Sequence, residues 1–433
     1  MKYISTRTPQ KRYSLREAAF LGLAPDGGLF MPERFPAIVP ETVRELSAES
    51  YQALAVHLAG LFFGDELAPQ EIARALDRAY DFAPRLAAVG DRLHTLELFH
   101  GPTFAFKDFG ARFMGAMFGL LNDTGRERVI LTATSGDTGS AVAGGFYGIP
   151  GIKVVLLYPA GRVSPLQESQ MTTLGGNIFP LRVEGSFDDC QRMVKTVFAD
   201  GGFCRQRGIT SANSINLLRW IPQSFYYFYG WYLWREATGS TEPPVIVVPS
   251  GNYGNLSAGM LAARMGLPVG RFVAASNAND VVPEFLRMGD YRPRPSVRTV
   301  ANAMDVGDPS NFERMMALCD ADVDRLRSVV AGFSASDDRI REAIAEMRRE
   351  YGYLSDPHSA VGYLAMQACG GSGGFWLSTA HEAKFREVLR EALPADAIPA
   401  ELPPALAERL SLPRKYEPLA ADAGLLKEYL TTL

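Results

Sequence analysis

Val245-Ile246-Val247-Val248-Pro249-Ser250-Gly251-Asn252-Tyr253-Gly254-Asn255-Leu256 opens on consecutive apolar positions and then breaks into Ser, Gly and Asn. A run without polar alternation suits a strand buried on both faces, the condition of a parallel sheet covered by helices. Three further runs outward from it share the design: Val129-Ile130-Leu131-Thr132-Ala133, Lys153-Val154-Val155-Leu156-Leu157-Tyr158 and Arg271-Phe272-Val273-Ala274-Ala275. Each leads into a Gly-rich turn and a segment of helical spacing. The fold class read from this alternation is α/β.

Two of the turns match in physical design. Leu131-Thr132-Ala133-Thr134-Ser135-Gly136-Asp137-Thr138-Gly139-Ser140-Ala141 passes, like residues 247–256, from strand through Gly, Ser, Thr or Asn into helix. Backbone N–H groups exposed at such a helix start form an anion site at the carboxyl end of a strand, so two turns suggest two anionic groups. Each also reads as a tight connection capped by its own Ser135, Asp137 or Ser250. Neither is a Walker loop or a GxGxxG turn, and nucleotide binding gains no support.

A third segment is His100-Gly101-Pro102-Thr103-Phe104-Ala105-Phe106-Lys107-Asp108-Phe109-Gly110-Ala111-Arg112-Phe113. Phe109, Phe113, Met117 and Leu120 follow at helical spacing, which places Lys107 at a helix start, where the macrodipole disfavours a cation. Apolar rings at 104, 106 and 109 flank it. A lysine so placed has a lowered pKa, which a Schiff-base nucleophile needs; a surface lysine with a snorkelling stem is the competing reading. Asn213-Ser214-Ile215-Asn216-Leu217-Leu218-Arg219 gathers side-chain donors that suit either an anion or a helix cap.

The chain has 433 residues, two or three domains at roughly 150 residues each. It carries 44 basic against 48 acidic residues, so no global basic field favours nucleic acid or anionic membrane. The aromatic run 225–234 lacks interleaved basic residues, the electrostatic half of a stacking surface, and reads as a buried interdomain helix. Cys190, Cys204, Cys319 and Cys369 form no CxxC pair and read as free thiols, and the five histidines are scattered, so no metal site is indicated. The start lacks the apolar core of a secretory signal and no stretch has the length of a membrane helix, which points to a cytoplasmic protein.

Residues 1 to about 95 read as mainly helical after an irregular entry, from Leu54, Leu58, Leu61 and Phe62 and from Ile72, Leu76 and Tyr80. Residues 320–350 read as a charged amphipathic surface stretch, and the tail after 394 alternates Pro-rich connection and short helix. Gly370-Gly371-Ser372-Gly373-Gly374 matches the serine-hydrolase elbow in letters, but helix precedes it and strand comes after, the reverse of the elbow. Asp356-Pro357-His358-Ser359 and Asp308-Pro309-Ser310 read as helix caps, the second with a capping box from Ser310 to Glu313.

Taken in order, residues 100–113 (HGPTFAFKDFGARF), 133–141 (ATSGDTGSA), 213–223 (NSINLLRWIPQ), 249–255 (PSGNYGN) and 378–385 (STAHEAKF) closely resemble threonine synthases of the enterobacterial and fungal branch. The resemblance runs from Tyr3 to about Leu412. It implies a fold type II pyridoxal-phosphate enzyme related to the tryptophan synthase β subunit: two open sheets covered by helices, the cofactor in the cleft between them, and a largely helical N-terminal region. The implied division is 1–95 for that region, 96–125 with 215–393 for a large cofactor-binding domain, 126–214 for a small α/β domain and 394–433 for a tail.

By the same resemblance Lys107 bonds the cofactor aldehyde and moves protons at the substrate, while Gly251, Asn252, Tyr253, Gly254 and Asn255 cradle the cofactor phosphate. Thr379 bonds the pyridine nitrogen, leaving it largely unprotonated and favouring elimination over transamination. Ser135, Thr138, Asn213, Ser214 and Arg219 hold the phosphate of O-phospho-L-homoserine, and Asn216 assists. The implied reaction joins that substrate and water into L-threonine and phosphate by γ-elimination and β-addition, with the departing phosphate activating the water.

Two positions vary. Asp137 stands where the wider fold places an asparagine beside the cofactor's phenolic oxygen; a carboxylate there must be protonated, turned away or bonded through another group. Glu382 replaces the proline of TAHPAKF and is expected to be tolerated. A phospholyase or serine/threonine dehydratase, releasing a 2-oxo acid and ammonia, uses the same cofactor site, and a non-catalytic binding descendant shares the fold. Oligomeric state is left at monomer or homodimer.

Overall fold

The structure is a computed structural model and describes residues 1–122, 125–370 and 373–433. Two separate sheets carry the architecture. In the first, strands lie in the order Val330–Ser334, Arg271–Ser276, Val245–Pro249, Gly374–Ser378, Leu93–Glu97 and Arg85–Gly90, all parallel except the last. The second runs Glu417–Ala420, Ile178–Glu184, Ile152–Pro159, Arg128–Ala133 and Ile209–Thr210, parallel throughout. The four apolar runs read from sequence are all inner strands of these sheets, beside Gly374–Ser378, Leu93–Glu97 and Ile178–Glu184. Ile246, Val247 and Val248 are fully buried, as are Val154 to Tyr158, because helices cover both faces.

The N-terminal entry is not irregular. Tyr3–Ser5 pairs with Arg12–Tyr13 and Phe30–Pro32 in a small antiparallel sheet whose strands are too short to show a period of two. Helices Pro40–Glu49, Tyr51–Phe63 and Pro69–Ala79 come next, the last two burying Leu54, Leu58, Ile72 and Leu76 as their spacing predicts. The stretch 320–350 contains an edge strand, Val330–Ser334, between its helices, and the tail supplies a strand as well as short helices.

The aromatic helix Phe225–Thr238 buries Phe225, Tyr226, Tyr227, Phe228, Trp231 and Trp234. Asp356 caps the helix Pro357–Ala368, accepting from His358 and Ser359 N–H groups. The capping box expected from Ser310 does not form: the next helix starts at Phe312, and Glu313 is drawn away to Arg7, 3.0 Å distant, and to the Thr6 hydroxyl. Of the Gly370–Gly374 run, Gly371 and Ser372 lie outside the described residues; helix Pro357–Ala368 precedes the run and strand Gly374–Ser378 ends it. Among the described residues no helix is long and apolar enough to cross a membrane, and no cluster of His, Cys, Asp and Glu is arranged to hold a metal.

Candidate active site

Lys107 is the first residue of helix Lys107–Leu121, with Phe106 at the N-cap and its ammonium 5.6 Å from the Phe106 ring centre. The loop before it is pinned to residues 379–381, just past strand Gly374–Ser378: Phe106 N–H donates to Thr379 O at 2.8 Å, His381 N–H to Phe104 O at 3.1 Å, and Ala105 bridges Ala380. Phe104 has φ +58°, a left-handed backbone that these tethers hold in place. Burial lowers the Lys107 pKa, with Lys384 and Arg219 acting in the same direction and Asp137 and Asp356 opposing. The lowered pKa expected from its place in the sequence is thus present, and desolvation is its main cause.

Asp137 opens helix Asp137–Phe146 at the end of strand Arg128–Ala133. Its carboxylate is held by two neighbours and faces a third. Oδ1 accepts from Lys384 Nζ at 2.6 Å and from Gln167 Nε2 at 2.9 Å, while Oδ2 stands 3.8 Å from Lys107 Nζ. Burial alone would raise its pKa, but the Lys384 and Lys107 charges and these hydrogen bonds hold it well below the usual carboxylate range. Asp137 is therefore ionised. Neither Lys384 nor Gln167 stands out as a site residue in the sequence; for Lys384 the one signal is a lysine set between Ala383 and Phe385 in a matched motif.

The turn 250–255 forms a cradle. Tyr253 has φ +58° and starts helix Gly254–Arg264, so successive N–H groups converge without a side-chain cap. A Cβ on Gly251 would lie 2.6 Å from Met304 Cα, so only glycine fits where two backbones approach. Asn252 bridges outward, its Nδ2 donating to Ser214 Oγ at 2.8 Å and its Oδ1 accepting from Ser310 N–H at 2.7 Å. Asn255 Oδ1 accepts from both Tyr226 and Tyr227 hydroxyls at 2.7 Å, and Asn255 Nδ2 is buried without a partner among the described residues. Two phenols thus turn the amide so that its NH₂ faces elsewhere. A buried donor left over beside a nest of N–H groups fits an anion.

Other residues named from sequence fall into groups. Ser214 packs against the 250–255 turn, receiving Asn252 and, at 3.1 Å, Asn311. Arg314 is fully buried, donates to Ser214 O and Ile215 O, and lies over the Trp220 ring at 4.3 Å, which fixes this segment. Asn213 N–H donates to Ser211 Oγ at 3.2 Å. Asn216 is fully buried and caps helix Leu217–Trp220, its amide donating to Ala19 O and Ser211 O; this is a tie to the N-terminal region.

Arg219 lies on the other side of that segment, against helix Lys107–Leu121. Its Nη1 donates to Ala212 O at 2.5 Å, its Nε is buried without a partner among the described residues, and burial pulls its pKa to about 10 against the pull of Asp108. Ser135 and Thr138 are partly exposed in the turn that carries Asp137. Thr379 N–H donates to Ser359 Oγ at 3.0 Å, and the Ser359 hydroxyl is bonded to Asp356.

These side chains suit pyridoxal phosphate: an amine with a lowered pKa, an N–H nest with a spare buried amide, and charged groups between them. A family of pyridoxal-phosphate dependent enzymes matches residues 82–374. Fold and site together define a pyridoxal-phosphate enzyme of fold type II.

Beyond that span, the threonine synthase N-terminal family matches residues 2–80 and its C-terminal family residues 359–430. Threonine synthase of Escherichia coli strain K12 is 42% identical over 434 residues, 99% of each chain. The crystal structure of threonine synthase from Escherichia coli superposes with a TM-score of 0.90 at 39% identity, covering 100% of both chains. The pyridoxal-phosphate-bound threonine synthase from Brucella melitensis gives a TM-score of 0.92 at 32% identity, covering 100% of this chain and 99% of that one. The chain belongs to the threonine synthase family.

Proposed function

We propose that this chain converts O-phospho-L-homoserine and water to L-threonine and phosphate, as the last step of threonine formation. The observation that carries the reading is the mostly buried Lys107 amine, of lowered pKa, facing Asp137 at 3.8 Å between the two sheets. Bound pyridoxal phosphate supplies the electron sink that acidifies the substrate's Cα and Cβ. Asn255, with Gly251, Asn252, Tyr253 and Gly254, would hold its phosphate, Lys107 its aldehyde carbon and Thr379 its pyridine nitrogen.

Lys107 Nζ, once released, takes and returns protons at Cα and Cβ on one face. Ser135 and Thr138 hydroxyls and the Arg219 guanidinium grip the substrate phosphate, and their hold strengthens as the leaving oxygen gains charge. Ser214 and Asn213 serve from the edge of the 250–255 turn, and Asn216 by capping the helix that carries Arg219. We take residues 96–125 with 215–393 as the large domain, 126–214 as the small one, with the helical region 1–95 and the tail 394–433 outside them. The four cysteines, unpaired in the structure, accord with a cytoplasmic enzyme, which we take as a monomer or homodimer.

Purified protein with pyridoxal phosphate and O-phospho-L-homoserine is expected to yield threonine and phosphate in equal amounts. Phosphate accompanied by 2-oxobutyrate and ammonia would instead make the chain a phospholyase, and Lys107→Ala retaining threonine formation would overturn the assignment of Lys107.

A further inference from the structure

Lys384 has no part in the reaction as proposed, yet its side chain is fully buried and its ammonium lies in the cleft. It comes from the 3₁₀ turn Glu382–Phe385, which lies beyond the central strand Gly374–Ser378 of the six-stranded sheet. Its Nζ donates to Asp137 Oδ1 at 2.6 Å and to Thr103 O at 2.9 Å. Thr103 belongs to the loop that ends at Lys107, and its N–H and hydroxyl bond Asp108 at 2.8 and 2.6 Å. One ammonium therefore ties together the loop before Lys107 and the first residue of the facing sheet's helix. Asp137 is left with one oxygen held by Lys384 and Gln167 and the other turned to Lys107.

We propose that Lys384 is a positioning residue of the reaction: by occupying Asp137 Oδ1 it neutralises that carboxylate and fixes its second oxygen opposite Lys107, so that Lys107 is poised as a free amine. The inference rests on the assignment of Lys107 as the amine that bonds the cofactor. A buried carboxylate facing an amine across 3.8 Å favours the ammonium form unless a second cation shares it. The charges around Lys107 are Asp137 and Asp356 on one side of the balance and Lys384 and Arg219 on the other. The groups that face Lys384 are the carboxyls of Asp137 and Asp108, the Lys107 amine and the neutral His381 ring. Removing Lys384 leaves Asp137 uncompensated, and its pull then falls on Lys107 alone.

The step that reads this is cofactor capture. Lys107 Nζ, as a free amine, adds its lone pair to the aldehyde carbon of pyridoxal 5'-phosphate; one water leaves with the carbonyl oxygen, and the C=N bond that forms absorbs visible light. Cofactor-free protein is mixed with pyridoxal 5'-phosphate, and the rate of band growth is tracked from about pH 6 to about 10. In Lys384→Met the midpoint of this profile is expected to rise by about one pH unit, roughly a tenfold slower capture at a fixed pH on the rising limb. Lys384→Arg, which keeps the charge, and the double variant Asp137→Asn with Lys384→Met, which removes both, are expected near the parent midpoint.

A folded Lys384→Met with the parent profile overturns the proposal. So does a double variant whose midpoint stays raised, and this outcome decides the matter if the single variant does not fold. Absence of the band from the parent protein, or its persistence in Lys107→Ala, would instead remove the assignment of Lys107 itself.

Discussion

The turns at 134–139 and 250–255 share composition, position at a strand's carboxyl end and a helix behind them, yet they close differently. In the first, Thr134 Oγ1 accepts from Gly136 N–H at 3.0 Å and from Gly139 N–H at 2.7 Å, so the turn satisfies part of its own backbone. In the second, Tyr253 takes the left-handed backbone, the helix start has no side-chain cap, and Asn255 keeps a buried NH₂ unpartnered among the described residues. Under the proposed assignment the contrast is functional. A site for a resident group can be built around that group. A site that empties every turnover must be stable when empty, so it holds its backbone with a hydroxyl of its own and meets the ligand with Ser135 and Thr138 side chains.

The strongest test of that contrast is Gly251→Ala. Its new Cβ would meet backbone, not a mobile side chain, so cofactor affinity is expected to fall by roughly a hundredfold, measured by absorbance titration, with threonine formation lost at limiting cofactor. Next, Asn255→Ala should weaken cofactor retention by about tenfold and leave the KM for phosphohomoserine at saturating cofactor near the parent value. If it raised KM alone, the two turns would have exchanged ligands. Ser135→Ala with Thr138→Ala should do the reverse, raising that KM several-fold, up to about tenfold, with unchanged cofactor titration.

A position outside both turns sets the background. Burial pushes the Glu382 carboxyl up to about 7; its Oε2 lies 3.0 Å from His381 Nδ1, whose lone pair accepts the Ala383 N–H and whose own pKa burial lowers to about 4. The folded state then binds the Glu382 proton more tightly than the unfolded chain, so its contribution to stability is full below pH 4.5 and is lost as pH rises to about 7. Glu382→Gln should flatten the dependence of denaturation midpoints on pH across that window by on the order of 1 kcal/mol, with both ligand titrations unchanged.

Glu382 also shows why a motif can vary. It is the first residue of a 3₁₀ turn capped by His381, a position where proline fits and where its replacement removes no required hydrogen bond.

Features were legible in the sequence where their cause is local. Four inner strands announced themselves because burial on both faces leaves apolar runs, and Lys107 stood out because ring neighbours and a helix start act within a few residues. The edge strands Arg85–Gly90 and Val330–Ser334 were not visible: each mixes exposed and buried positions, and their pairing partners supply what their own residues lack. The Lys384–Asp137 pair was hidden for a different reason. Each residue is ordinary in its own segment, and only the packing of two sheets brings them together. Likewise, the helix Phe225–Thr238 could be read as buried, but not that two of its tyrosines orient Asn255.

The strand Glu417–Ala420 pairs with Ile178–Glu184, with Glu417 opposite Leu181, and helix Ala423–Thr432 places Leu426 and Leu430 in the core behind that sheet. During synthesis, Ile178–Glu184 leaves the ribosome long before its outer neighbour exists. Until then, it presents an open row of N–H and C=O groups, backed by apolar side chains, to any extended chain nearby. Glu417–Ala420, translated well after its partner, thus covers this open edge and ends a period of exposure to misassociation, making its docking a quality-control step for the nascent polypeptide.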